Sequence, residues 1–265
     1  MFDLRTYLSG WVALLMAGAL VWSISISKRD VSIVDSLWPL FFVIAGITYV
    51  SQLGAESLRA AVVLLLVCLW AVRLSGYISW RNWGQPEDFR YQAIRANHQP
   101  DFELKSLFMI FLFQATVAWI VSMPLLGAMS SQTGLSALDI LGVMLVCAGL
   151  VIESVADWQL SRFKAQPRNR GKVLAVGLWR YSRHPNYFGD FCVWWGFYLI
   201  ALGAGTWWTI PGPLLMTIFL FEVSGVALLE RDIGDRRPDY DLYVRQTNAF
   251  FPGLPRTQQF SEVKK

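Results

Sequence analysis

Charge is scarce in this chain. Asp, Glu, Lys and Arg make up 16% of its 265 residues, where a soluble domain carries about a quarter. That deficit excludes a surface wetted on all sides. Histidine is scarcer still: His98 and His184 are the only two. They stand far apart in sequence, so the ligand cluster of a zinc site is missing and no metal is expected. Cys68, Cys147 and Cys192 lie in apolar stretches without metal-type spacing. Thiols placed there act as small hydrophobes, and no disulfide framework is expected. No Gly-x-Gly-x-x-Gly follows a strand-like run, and no region is rich in strand patterns, which excludes a Rossmann domain. Any dinucleotide would have to be held by helices and loops.

What the chain has instead is apolar length. It is 55% apolar, with 13 tryptophans. The apolar residues gather at roughly 8–27, 33–52, 59–79, 106–129, 137–157, 186–203 and 208–229, each near the ~20 residues that cross a bilayer. The first stretch has no basic leader and no small-residue cleavage site, so it reads as a span rather than a signal peptide. The cations lie between the stretches, and on alternate sides. Lys28 and Arg29 follow the first, Arg81, Arg90, Arg95 and Lys105 the third, and Arg162 to Arg183 the fifth, while the opposite loops carry little beyond Arg59. Cationic loops stay in the cytoplasm. The expected architecture is therefore an all-α, polytopic membrane protein. It is a seven-transmembrane-helix bundle with the N-terminus outside and the C-terminus cytoplasmic, residues 1–265 forming one integral-membrane domain with a flexible tail at 255–265.

Polar residues inside or at the mouth of a span are costly, and so they are functional candidates. Glu153, Asp157, Ser161 and Lys164 recur at helical spacing on one face of the fifth stretch. They are either a solvated helix end or part of a site. Arg168, Arg170 and Lys172 follow, placed there by topology or by phosphate binding, for which Arg offers bidentate geometry and Lys a point charge. Next comes the run Arg180-Tyr181-Ser182-Arg183-His184-Pro185-Asn186-Tyr187-Phe188-Gly189-Asp190. Its proline opens a helix, whose free N–H groups favour an anion. Asp35, Arg73 and Glu222 lie deeper in spans. Either Asp35 and Arg73 neutralise each other, or Asp35 polarises a substrate in a pocket lined by Trp38, Trp70 and Tyr77. Gln85-Pro86-Glu87-Asp88 has the form of a helix start.

The run Arg183 to Asp190 resembles a signature shared by membrane steroid 5α-reductases, sterol reductases, and isoprenylcysteine or phospholipid methyltransferases. The wider pattern is most similar to the bacterial branch of the steroid 5α-reductase family. It comprises Val34-Asp35-Ser36-Leu37-Trp38, Arg73 with Gly76-Tyr77, Glu87-Asp88-Phe89-Arg90-Tyr91, Gly177-Leu178-Trp179-Arg180-Tyr181, Tyr243 and Phe251-Pro252, across residues 33–254. The resemblance implies a multi-pass protein of the bacterial inner membrane that encloses NADPH in its cytoplasmic half. By position it implies cofactor roles for Asp157, Lys164, Lys172, Asn186 and Asp190. The expected cofactor set also takes in Glu153, Arg168, Tyr181, Arg183, His184, Arg236 and Tyr243. Asp35 takes the place of a family glutamate that bonds the substrate ketone, and the partnering family tyrosine falls at Trp70, with Tyr77 in reserve.

The expected reaction is NADPH-dependent reduction of the Δ4 double bond of a 3-oxo steroid or similar lipid enone. Asp35 can donate to the enolate oxygen only in its protonated form, whereas pairing with Arg73 would leave it an acceptor. The alternative is an S-adenosylmethionine-dependent methyltransferase on the same scaffold, and a non-enzymatic lipid or interaction protein is the third reading. Clustered cations around the signature favour the phosphate-bearing cofactor. The expected partners are a lipid- or steroid-like small molecule and membrane lipids, with no nucleic acid. The sequence sets no oligomeric state.

Overall fold

A computed structural model describes residues 2–54, 56–223 and 240–256. Among the described residues there are helices and turns and no strand. The elements are α1 (Leu4–Lys28), α2 (Ile33–Leu53), α3 (Leu58–Asn82), α4 (Phe89–Asn97) and α5 (Phe102–Ser106). A wide π-helical stretch then leads into α6 (Phe113–Val121), followed by α7 (Met123–Met129), α8 (Ala137–Lys164) and α9 (Pro185–Gly203). Last come α10 (Pro211–Ile218) and α11 (Tyr240–Gln246).

Five of these stretches are long and apolar enough to cross a membrane: α1, α2, α3, Phe102–Val121 and α8. They coincide with the first five expected spans and describe a multi-pass membrane protein. The stretch expected at 186–203 becomes α9, whose first turns carry Asn186 and Asp190 and so dilute its apolar character. The one expected at 208–229 opens with the 3₁₀ turn Trp207–Thr209, continues through α10 and is described as far as Val223. Glu222 and Arg236 have side chains outside the described residues.

The chain divides into two compact units, Met1–Leu141 with Phe197–Gly212, and Gly142–Gly196 with Pro213–Lys265. In the first, α2 packs against both α1 and α3. Lipid is as apolar as leucine, so close packing and hydrogen bonds have to bind such helices. Gly10 provides the close approach: a Cβ there would stand 2.5 Å from Tyr49 Cε1. The same tyrosine shares a buried hydrogen bond of 2.7 Å with Ser122. The outer face of α1 carries Leu4, Leu8, Val12, Met16, Leu20 and Ile24 at four-residue spacing, all exposed, as a lipid-facing stripe requires. Helix ends are capped locally. Asp3 accepts from the N–H groups of Arg5 and Thr6, and Ser57 from that of Ala60.

The strongest polar tie in this unit joins the start of α3 to the start of α8. Arg59 donates to Asp139 at 2.6 and 3.0 Å, and to the carbonyls of Thr133 and Gly134 at 3.0 and 2.8 Å. Both side chains are almost fully buried. Asp139 also accepts from the Ser136 N–H and hydroxyl. Sequence reading treats Arg59 as a loop charge, whereas the fold makes it a core residue. Removing one member of such a pair leaves the other buried and unmatched, at a cost of about 3–5 kcal/mol. Arg59→Met is accordingly expected to lower the thermal midpoint in detergent markedly, with the Arg59→Met/Asp139→Leu double variant recovering much of the loss. An Arg59→Met protein as heat-stable as wild type would show that the pair holds nothing.

Candidate functional site

Asp35 lies in the first turn of α2. A short segment after α3 is folded onto that turn. Its first acid, Glu87, accepts from the Val31 N–H at 2.9 Å, and the Asp88 N–H donates to Ser32 Oγ at 2.7 Å. Asp88 then caps α4, accepting from the Arg90 N–H, so the helix starts just after the Pro86-Glu87-Asp88 signal. This docking delivers the next two side chains to Asp35. Tyr91 donates its hydroxyl to Asp35 Oδ1 at 2.6 Å, and Arg90 donates to Oδ2 at 2.8 Å. Asp35 is thus an acceptor at both oxygens. Arg90 is steadied from behind by Asp88 at 2.9 Å. Gln114, a polar side chain from α6, donates weakly to the Tyr91 hydroxyl at 3.4 Å.

The electrostatics around α4 follow from this arrangement. Burial, then the charge of Asp35, push the Tyr91 phenol above the usual tyrosine range, so it keeps its proton at neutral pH. Burial by itself would lower the Arg90 guanidinium, but Asp88 and Asp35 outweigh it and hold it higher. Burial likewise works to raise Glu87 and Asp88. Arg95 and the Val31 N–H overcome it at Glu87, and Arg90 overcomes it at Asp88, so both carboxyls sit lower than usual. Arg95 reaches Glu87 at 2.7 and 2.9 Å and stacks over Phe102.

The two hydroxyl and indole donors expected at Asp35 are placed elsewhere. Trp70 is fully buried and meets Phe42 edge-on with centroids 5.5 Å apart. Tyr77 lies under the guanidiniums of Arg73 and Arg81, at 5.7 and 5.9 Å. Tyr91 and Arg90 are the partners of Asp35 that sequence reasoning missed. Both stand in the Glu87-Asp88-Phe89-Arg90-Tyr91 motif, which is the signal that could have found them.

The second unit gathers the other candidates. α8 and α9 touch backbone to backbone: a Cβ on Gly149 would lie 2.5 Å from Gly189 O, and one on Gly189 2.6 Å from Glu153 N. Gly196 fits against Gly142 and Val146 in the same way. This glycine seam brings the acidic face of α8 beside the signature run. Glu153, Asp157, His184 and Asp190 are all buried, and Asn186 donates to Asp157 at 3.2 Å. His184 stacks on Tyr187. Lys164, Arg168 and Lys172 are exposed on and after the end of α8.

Three expected cofactor residues tie the signature to the end of the chain. Arg183 donates to the carbonyls of Thr247 and Val244 at 2.8 and 3.3 Å, capping α11. The Tyr243 hydroxyl donates to Trp179 O at 2.5 Å, and the Tyr181 carbonyl accepts from the Gly253 N–H at 3.0 Å. Ser182 Oγ donates to Phe250 O at 2.7 Å and accepts from the His184 N–H. These bonds fix the path of the run into α9.

Residues 21–247 match a family described as a protein of unknown function, DUF1295, which is associated with steroid 5α-reductase-like membrane proteins. The chain belongs to that family. An uncharacterized protein of Schizosaccharomyces pombe is 27% identical over 288 residues, covering 96% of this chain and 81% of its own length. A protein of Ustilaginoidea virens named as a probable O-methyltransferase is 32% identical over 122 residues, which is 46% of this chain and 38% of that protein. No solved structure matches.

The lowered carboxyls of Glu87 and Asp88 set an acid limit for α4. A depressed folded pKa contributes stability that is present above the unfolded value and lost as pH falls through the folded one. Amide protection factors across Phe89–Asn97 should therefore hold steady through neutral pH and fall below about pH 4. Glu87→Gln should lower them at neutral pH and flatten the acid dependence. An unchanged acid profile in that variant would remove Glu87 from the docking.

Proposed function

We propose that this DUF1295 protein is a reductase using NADPH to saturate the Δ4 double bond of a 3-oxo steroid or a similar lipid enone. The observation that carries the reading is Tyr91 and Arg90 converging on Asp35. Enone reduction places negative charge on the carbonyl oxygen as the β-carbon accepts hydride, and that oxygen needs a donor that is still protonated at neutral pH. Tyr91 meets the requirement, with Arg90 supplying positive charge beside it. Asp35, an acceptor at both oxygens, then orients the phenol instead of donating. The resemblance-based role of Asp35 as ketone donor passes to Tyr91 in this reading.

The second unit offers a donor and acceptor set that fits the cofactor. Buried Glu153, Asp157 and Asp190 with Asn186 suit hydroxyl and amide groups, while the exposed Lys164, Arg168 and Lys172 suit phosphates. When bound, NADPH supplies the hydride. The protein's part is to bind, to orient and to hold a proton at the Tyr91 oxygen. We extend the proposal to topology: seven spans, N-terminus outside and C-terminus cytoplasmic, in a bacterial inner membrane.

A methyltransferase using S-adenosylmethionine is the second reading. The buried carboxylates of α8 and α9 also suit a cationic sulfonium, and the Ustilaginoidea virens relative bears an O-methyltransferase name.

Thermal unfolding of the detergent-purified protein separates the two. A cofactor at a hundredfold its dissociation constant stabilises by about 2.7 kcal/mol. NADPH, and not S-adenosylmethionine, should raise the midpoint. Tyr91→Phe should then keep the NADPH shift while slowing enone reduction by about 10²–10⁴-fold. Stabilisation by S-adenosylmethionine alone would replace the first reading with the second.

A further inference from the structure

The segment that leaves α8 has an unusual charge balance. From Trp158 to Gly189 there is no Asp or Glu, yet Arg162, Lys164, Arg168, Arg170, Lys172, Arg180 and Arg183 all fall within it. All but Arg183 are exposed. Among the described residues, none of Arg162, Arg168, Arg170, Lys172 or Arg180 belongs to an ion pair. A solvated protein face normally mixes signs, because like charges held together repel. The excess is larger than one cofactor's phosphates account for, since Arg162, Arg170 and Arg180 have no part in that set.

Position says what neutralises it. α8 is long and apolar enough to span a membrane and ends at Lys164. Whichever way the helix points, its last turn emerges among headgroups. Two residues of that last part behave accordingly. Trp158 is 57% exposed, and the Arg162 guanidinium lies over its ring at 5.4 Å from the centroid. An exposed indole at a span end sits at the headgroup level, and an arginine stacked on it directs its charge along the same surface.

We propose that the segment following α8 is a docking surface for anionic phospholipid headgroups. Arg162, Arg170 and Arg180 bind the phosphates of neighbouring lipids, with Trp158 seated between acyl chains and headgroups. The proposal rests on the membrane role of α8 and is independent of the reductase reading. Its chemistry is attraction of phosphate by fixed positive charge, and the lipid is the source to which the location commits it. Each cation near a membrane surface strengthens attraction to anionic lipid by about fivefold, a gain that salt screens.

The test uses the full-length protein in nanodiscs of phosphatidylcholine doped with spin-labelled phosphatidylglycerol, reading the immobilised fraction. Wild type should select phosphatidylglycerol several-fold over labelled phosphatidylcholine at low salt and lose that preference at high salt. Arg162→Gln/Arg170→Gln/Arg180→Gln should lose most of it, while the matching triple lysine variant keeps it. The glutamine variant should retain the wild-type thermal shift with NADPH, which separates this surface from the cofactor residues. Equal lipid selectivity in the wild type and the glutamine variant would overturn the proposal, as would absence of any preference in wild type. Loss of the preference on adding millimolar inorganic phosphate at constant ionic strength would assign the cations to a free-phosphate site instead.

Discussion

A carboxylate at the start of an apolar helix has to be matched, and Asp35 is matched by two groups from outside its own helix. The need is physical, because a buried polar atom without a partner costs more than most hydrogen bonds return. Here the partners arrive on α4, and α4 arrives because Glu87 and Asp88 bind backbone and hydroxyl groups at Val31 and Ser32. The chemistry at Asp35 is thus a consequence of how a polar segment seals a helix end. Disturbing the docking removes Arg90 and Tyr91 together, whichever residue is changed. The same rule acts at the start of α3, where Arg59 and Asp139 satisfy one another in a shell of loop carbonyls. That second network holds no proton in reserve and no tyrosine. It reads as structure alone.

In the other unit the constraint is steric. Glycines at 149, 189 and 196 let the backbones of α8 and α9 come into contact, which side chains there would prevent. Small residues at such seams are how apolar helices find one another when burial gives no net gain. The seam also accounts for Gly189 standing inside the signature run. Without it, Glu153 and Asp157 would be held away from Asn186 and Asp190. The tail contributes from the opposite direction, since Arg183, Ser182 and Tyr243 fasten the turn before α9 to α11 and Phe250.

Much of this is legible in the sequence. Hydropathy alone locates the five long apolar helices, because little besides a membrane span uses a continuous apolar run near the bilayer width. It locates α9 too, but Asn186 and Asp190 lower the apolar character of that helix, so length and composition do not mark it as a span. The acid face of α8 follows from four-residue spacing. What pattern cannot deliver is contact between elements. The family resemblance puts Trp70 in the place of the residue that partners Asp35, yet the hydroxyl at Asp35 comes from α4, after an intervening loop. Depth allows Arg73 as a counter-ion, and Arg90 pairs with Asp35 through a docking that only the fold defines. Arg183 illustrates the converse. Its position in the signature marks it for a ligand, while its guanidinium caps a helix whose proximity no local motif announces.

The placement of the proton is the point on which the enzymatic reading turns. Both Asp35 oxygens accept here, one from a guanidinium and one from a phenol, so the proton between Asp35 and Tyr91 is the phenol's. A phenol raised by burial and by that same carboxyl is well suited to keep one until an oxygen more basic than Asp35 appears. An enolate oxygen forming at a ketone is such an acceptor, and a neutral hydroxyl awaiting methylation is not. In the reductase proposed above, the Asp35–Tyr91 pair would serve the step that builds charge on oxygen. On the methyltransferase reading the carboxylates of the second unit would serve the cofactor and substrate, and Asp35 would be a structural partner of Arg90 and Tyr91.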